Sequence, residues 1–214
     1  MKQQIIELIK QEKVIGIVRG VDAEHIIPTA EALYKGGIRM IEITFDQRNP
    51  EHLTETQKLI QMVSEQLEGK ICVGAGTVMN IAQCEAAFKA GAKYFISPNV
   101  NAEVIKKANE LDVVSIPGAL SPSEAAYAYD QGADFVKLFP AGDLGSAYIK
   151  SLCAPLNHIP FLAVGGISPE NMKEFMSTGI YGVGVGGKLI DKKVIYSGEY
   201  DKITKVAQEY VEVK

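Results

Sequence analysis

Short apolar runs punctuate this chain at near-regular intervals, and a polar-capped amphipathic segment follows nearly every one. The runs fall at Val14–Val18, Met40–Thr44, Ile71–Gly74, Tyr94–Ser97, Val113–Ile116, Phe135–Phe139, Phe161–Val164 and Gly182–Gly186. Short runs of this kind, most of them rich in β-branched residues, read as buried strands. Between them, Asp22–Lys35, Pro50–Glu68, Asn80–Ala90, Asn101–Leu111, Ser121–Gln131 and Ser168–Ser177 read as helices. Each opens on Asp, Asn, Ser or Pro, the residues that start helices. Glycines at Gly36-Gly37, Gly69, Gly91, Gly132 and Gly179 then end helices just before the next strand.

Strand–helix alternation of this kind implies a parallel sheet. With eight units in one chain, the α/β class is expected, closed as a (β/α)8 TIM barrel. The chain is shorter than the about 250 residues typical of that fold, so its loops must be short. Residues 1–13 read as an extra amphipathic N-terminal helix covering the bottom of the barrel, and residues 199–213 as a last outer helix. An open doubly wound sheet is the alternative. It would usually carry a glycine-rich fingerprint after the first strand, where this chain has Arg19-Gly20-Val21-Asp22.

Composition narrows the picture. The 214 residues, 47% hydrophobic, suit a single domain over 1–214 with one large core. Net charge is −4 and the basic residues are scattered, so neither nucleic acid nor a membrane is expected as a partner, and a small-molecule substrate is. Cys72, Cys84 and Cys153 are odd in number and unpaired in spacing, as in reduced cytoplasmic proteins. The N-terminus has no long apolar run, so neither a signal peptide nor a membrane span is expected.

One residue breaks the pattern of the sixth run. Lys137 stands inside Phe135-Val136-Lys137-Leu138-Phe139. A lysine taken out of water is driven toward its neutral form, and a neutral amine attacks ketones to form a Schiff base. The alternative is a lysine whose stem packs on Phe135 or Phe139 while its head reaches the strand end. In the second run, Glu42 and Thr44 alternate with Ile41, Ile43 and Phe45, so Glu42 should point into the barrel. A carboxylate there serves either as an acid/base or in a buried salt bridge, which could include Lys137.

Barrel sites gather at the C-terminal ends of the strands. The third run leads into Gly74-Ala75-Gly76-Thr77, where a hydroxyl and an amide can bind a carboxylate or simply cap a turn. The fourth and fifth end in Ser97-Pro98-Asn99 and Pro117-Gly118, and either can be a plain turn. The last two end in Gly165-Gly166-Ile167-Ser168 and Gly186-Gly187-Lys188, glycine turns of the kind that bind phosphate in barrels. The histidines, His25, His52 and His158, fall away from strand ends, and no metal-ligand spacing appears, so no metal or other cofactor is expected.

Taken together, the chain resembles the class I aldolases that cleave 2-keto-3-deoxy-6-phosphogluconate (KDPG) and 4-hydroxy-2-oxoglutarate (KHG). The motifs run in order through Ile41-Glu42-Ile43-Thr44, Val73-Gly74-Ala75-Gly76-Thr77-Val78, Ile96-Ser97-Pro98, Ile116-Pro117-Gly118, Val136-Lys137-Leu138-Phe139-Pro140-Ala141, Val164-Gly165-Gly166-Ile167-Ser168 and Gly184-Val185-Gly186-Gly187. The resemblance implies that Lys137 is the Schiff-base lysine and Glu42 the general acid/base. It also implies that Thr77 holds the pyruvate carboxylate, with Pro98 and Phe139 in the substrate pocket, and that Gly165, Gly166, Gly186, Gly187 and Lys188 hold the phosphate. It further implies a homotrimer and a place in Entner–Doudoroff carbohydrate metabolism. Three positions depart from the family pattern. Asp46 stands four residues after Glu42, where the family has a substrate-binding arginine, so Arg48 or Arg19 is expected to substitute. Lys188 replaces a residue that is often Ser, and Ala119 replaces a polar one. The galactonate-derived epimer is an alternative substrate. A phosphosugar isomerase or epimerase and a non-catalytic binding barrel are the alternatives of other classes.

Overall fold

The computed structural model describes residues 2–214. Among these, the chain order is α1 (Lys2–Glu12), β1 (Val14–Val18), α2 (Ile26–Lys35), β2 (Met40–Thr44), α3 (His52–Gln66), β3 (Cys72–Gly76), α4 (Ile81–Lys89), β4 (Tyr94–Ile96), α5 (Ala102–Glu110), β5 (Val114–Ile116) and β6 (Gly118–Ala119). There follow α6 (Pro122–Asp130), β7 (Val136–Leu138), α7 (Ala141–Cys153), β8 (Phe161–Val164), α8 (Pro169–Met176), β9 (Gly182–Val185), α9 (Lys192–Tyr196) and α10 (Tyr200–Glu212). Every ladder is parallel, in the order β5-β4-β3-β2-β1-β9-β8-β7-β6.

β5 and β6 lie at the two ends of that order, yet only Pro117 separates them in the chain. They are two halves of one barrel strand. The first half pairs back to β4 and the second forward to β7. Pro117 has no N–H to give, but its carbonyl accepts from the Lys137 amide at 2.8 Å. The nine segments therefore make the eight expected barrel strands, and the fifth runs two residues beyond Pro117.

Alternation along the strands splits the apolar residues into two layers. Ile15, Met40, Tyr94, Ile96, Val114, Ile116, Phe135 and Leu162 fill the barrel interior, joined by Ile9 of α1. Ile5, Ile6 and Leu8 pack against the same cluster, so α1 plugs the lower end as expected. The intervening positions, such as Ile41, Ile43, Val73, Val136 and Leu138, join a larger shell shared with the outer helices.

The interior is crowded at Gly74. A β-carbon there would sit 2.3 Å from the Tyr94 ring, and that ring is tethered by its hydroxyl, which donates to the Ile41 carbonyl at 2.6 Å. Gly74→Ala should therefore cost about 1–3 kcal/mol through overpacking, read as a lower thermal midpoint with the native circular dichroism retained.

Most helix starts follow the expected caps. Asn80 and Asn101 accept from the Gln83 and Glu103 amides, each at 3.0 Å. Ser121 with Glu124, and Ser168 with Asn171, form reciprocal capping boxes. Three differences stand out. α2 begins at Ile26 rather than Asp22, because Asp22 is spent on a local turn with His25. α7, which the eight-unit pattern requires, has no range in the sequence reading, because its glycines obscure the helical period and Gly145, at φ 78°, breaks it into two pieces. β3 reaches Gly76, so Thr77 is the first residue beyond the strand. None of the described helices is long and apolar enough to cross a membrane.

Candidate active site

Two charged side chains enter the barrel interior one inward step above its apolar layer. Glu42 on β2 lies two residues after Met40, and Lys137 on β7 two residues after Phe135, which immediately precedes that strand. Glu42 is 2% exposed and Lys137 7%. Both open into one cavity of about 430 Å³ at the C-terminal ends of the strands. Its wall also contains Arg19, Thr77, Pro98, Phe139, Gly165, Gly166, Gly186, Gly187 and Lys188, all singled out by the sequence. Ile17, Val164, Ile167, Ser168 and Gly184 complete it. Ile17 and Val164 were legible in principle, since they lie two residues above the interior Ile15 and Leu162.

Burial pushes the Glu42 carboxyl above its ordinary value, against the pull of the Lys137 ammonium and Arg19. Burial likewise pushes Lys137 down, opposed by Glu42 and assisted by Arg19. The two groups are one coupled pair, each biased toward its neutral form by desolvation. Among the described residues, Glu42 Oε2 is buried with no hydrogen-bond partner. Room for that carboxyl comes from Gly76, where a β-carbon would lie 2.7 Å from Glu42 Oε1. Lys137 Nζ lies 4.7 Å from the centre of the Phe139 ring.

Thr77 carries backbone strain. Its φ of 57° lies in the left-handed region, which is a true outlier for a β-branched residue and costs about 1–3 kcal/mol. Arg19 Nη2 donates to Thr77 Oγ1 at 3.4 Å, and Gln47 Nε2 to the Thr77 carbonyl at 3.0 Å. The hydroxyl and the guanidinium thus face the same cavity as Lys137.

Arg48 does not line this cavity. Its side chain is 91% exposed and paired with Asp46, to which Nε and Nη2 each donate at 3.2 Å. Of the two arginines expected to substitute at the substrate, Arg48 is thus held outside this cavity by the neighbouring carboxylate. Arg19 occupies the wall instead. Lys188 borders the cavity, but its Nζ lies 3.2 Å from Glu170 Oε1, with both side chains two-thirds exposed. Gly165, Gly166 and Gly187 take positive φ, at 90°, 72° and 25°, and α8 begins just beyond Ser168. Backbone of this kind at a helix start suits an anion.

The chain matches the family described as KDPG and KHG aldolase over residues 5–206. It is 34% identical to the KHG/KDPG aldolase of Escherichia coli K12, over 88% of this chain and 86% of that one. It is 31% identical to the 2-dehydro-3-deoxy-6-phosphogalactonate aldolase of the same organism, over 82% and 83%. The solved KDPG aldolase from Legionella pneumophila, with pyruvate captured at low pH as a covalent carbinolamine intermediate, superposes with a TM-score of 0.86. It is 27% identical and covers 97% of this chain and 98% of that one.

Proposed function

The chain belongs to the KDPG and KHG aldolase family, and on that premise we propose that Lys137 forms a Schiff base with a 2-keto-4-hydroxy acid while Glu42 moves the protons. The enzyme is a class I aldolase, a lyase. One observation carries the residue assignment: a buried lysine and a buried carboxylate with an unbonded oxygen share a single cavity at the catalytic end of the barrel.

The neutral Lys137 amine attacks the C2 ketone, and loss of water gives a protonated imine. Glu42 takes the proton of the C4 hydroxyl, directly or through water. The C3–C4 pair then flows into the imine, releasing an aldehyde and leaving an enamine. Protonation at C3 and addition of water free pyruvate and the amine. A carboxyl raised by burial is suited to serve both as base and as acid.

The substrate is KDPG, KHG or both, so the aldehyde is glyceraldehyde 3-phosphate or glyoxylate. Thr77 and Arg19 hold the keto-acid carboxylate, replacing the arginine that Asp46 displaces. The glycine turns at 165–166 and 186–187, with Lys188, hold the phosphate. A second reading, the galactonate-derived epimer, is favoured by the similarity to the galactonate enzyme. Comparing kcat/KM on the two epimers decides between them. A homotrimer working in the cytoplasm completes the proposal, and light scattering tests the trimer.

Borohydride trapping with pyruvate tests the chemistry. Intact mass and peptide mapping should place a reduced pyruvate adduct on Lys137. A folded protein that traps nothing while isomerising phosphosugars would replace this reading with the isomerase.

A further inference from the structure

Side chains hold four of the six backbone polar groups of the loop Thr77–Met79. Gln47 Nε2 donates to the Thr77 carbonyl at 3.0 Å, Ser97 Oγ to the Val78 carbonyl at 2.6 Å, and Asn101 Nδ2 to the Met79 carbonyl at 3.1 Å. The Val78 amide donates to the Ile96 carbonyl at 3.1 Å. Beneath the loop, on α4, sits Gln83, fully buried. Its Oε1 accepts from the Met79 amide at 2.6 Å. Its Nε2 donates to Gln47 Oε1 at 3.0 Å and faces His52 Nε2 at 3.2 Å. His52 Nδ1 lies 2.7 Å from the Asn49 carbonyl. If Nδ1 carries the proton and donates there, Nε2 is free to accept from Gln83.

Every polar group of the Gln83 amide is therefore engaged, and the chain of contacts runs from α3 through Gln83 and Gln47 to Thr77. A hydrogen-bonded network anchored on a buried amide rigidifies what it touches. What it touches here is the strained residue at the cavity wall, which persists in its left-handed conformation only if its surroundings over-determine it. Gln47 is the outer link and is exposed; Gln83 is the anchor.

We propose that Gln83 and Gln47 are positioning residues that hold Thr77 in its left-handed conformation beside Arg19, and so set the affinity for the keto-acid carboxylate. This rests on the reading of Thr77 and Arg19 as the carboxylate cradle. The relay acts on binding, not on proton transfer, because it touches neither Lys137 nor Glu42.

Two variants test it. Gln83→Met keeps the length and apolar bulk of the side chain and removes the amide. Gln47→Glu keeps the size and turns the donor facing the Thr77 carbonyl into an acceptor. In borohydride inactivation, each should raise the pyruvate concentration for half-saturation about three- to tenfold, with the maximal inactivation rate unchanged. Amide exchange across residues 77–79, measured without ligand, should quicken in both. A lower thermal midpoint with unmoved half-saturation would make Gln83 merely structural and overturn the proposal, as would unchanged exchange. Failure of the parent protein to form any adduct would sink the aldolase reading instead. The relay would then stand or fall on the exchange result.

Discussion

Lys137→Met should leave a folded protein whose retro-aldol turnover falls by about 10⁴-fold or more, with no adduct after borohydride. Lys137→Arg should be equally inactive, because a guanidinium stays charged and cannot form the imine. The fold should survive in the methionine variant because Lys137 is a burden on the native state. Its folded pKa lies below the ordinary 10.5. In the window between the two values the unfolded chain binds more protons than the folded one, so stability rises with pH there. Below that window the burden is fully present. Removing the amine should then leave the thermal midpoint equal to or above that of the parent, with the gap narrowing as pH rises through the window. A Lys137→Arg protein with substantial aldolase activity would refute the assignment of the nucleophile.

Glu42→Gln should lower kcat by about 10²–10⁴-fold while borohydride still traps pyruvate on Lys137, more slowly. The amide fits the space left by Gly76 but cannot accept the C4 proton. It also removes the carboxylate that holds the Lys137 value up, so the amine is neutral at still lower pH. The expected signature is therefore a loss in cleavage larger than the loss in adduct formation. Normal turnover in this variant would remove Glu42 from the mechanism.

The barrel was legible because its strands are short apolar runs and its helices begin on strong caps. Lys137 and Glu42 were legible for a related reason: each is a charge in a run where the alternation points inward. Other features lay beyond the sequence. Pro117 and Gly118 are turn residues by type, so their place inside a continuous barrel strand depends on a partner found only in three dimensions. The capture of Arg48 by Asp46 is a matter of side-chain reach in a loop. Lys188, beyond β9, meets Glu170 in the first turn of α8, and no local spacing announces it. Gln83 reads as an ordinary polar position on α4, because nothing nearby in sequence says that its amide is buried beneath Thr77.

The stacking of side chains inside the barrel has a consequence for how such an enzyme can change. β2 and β7 are two-storey columns. Met40 and Phe135 form the lower storey and Glu42 and Lys137 the upper, with α1 as the foundation. The lower storey carries the weight of folding, and the upper one does the chemistry. A change confined to the upper storey leaves the foundation in place. The burial of Lys137 and the strain at Thr77 are costs of that upper storey, which the packing of the lower one offsets.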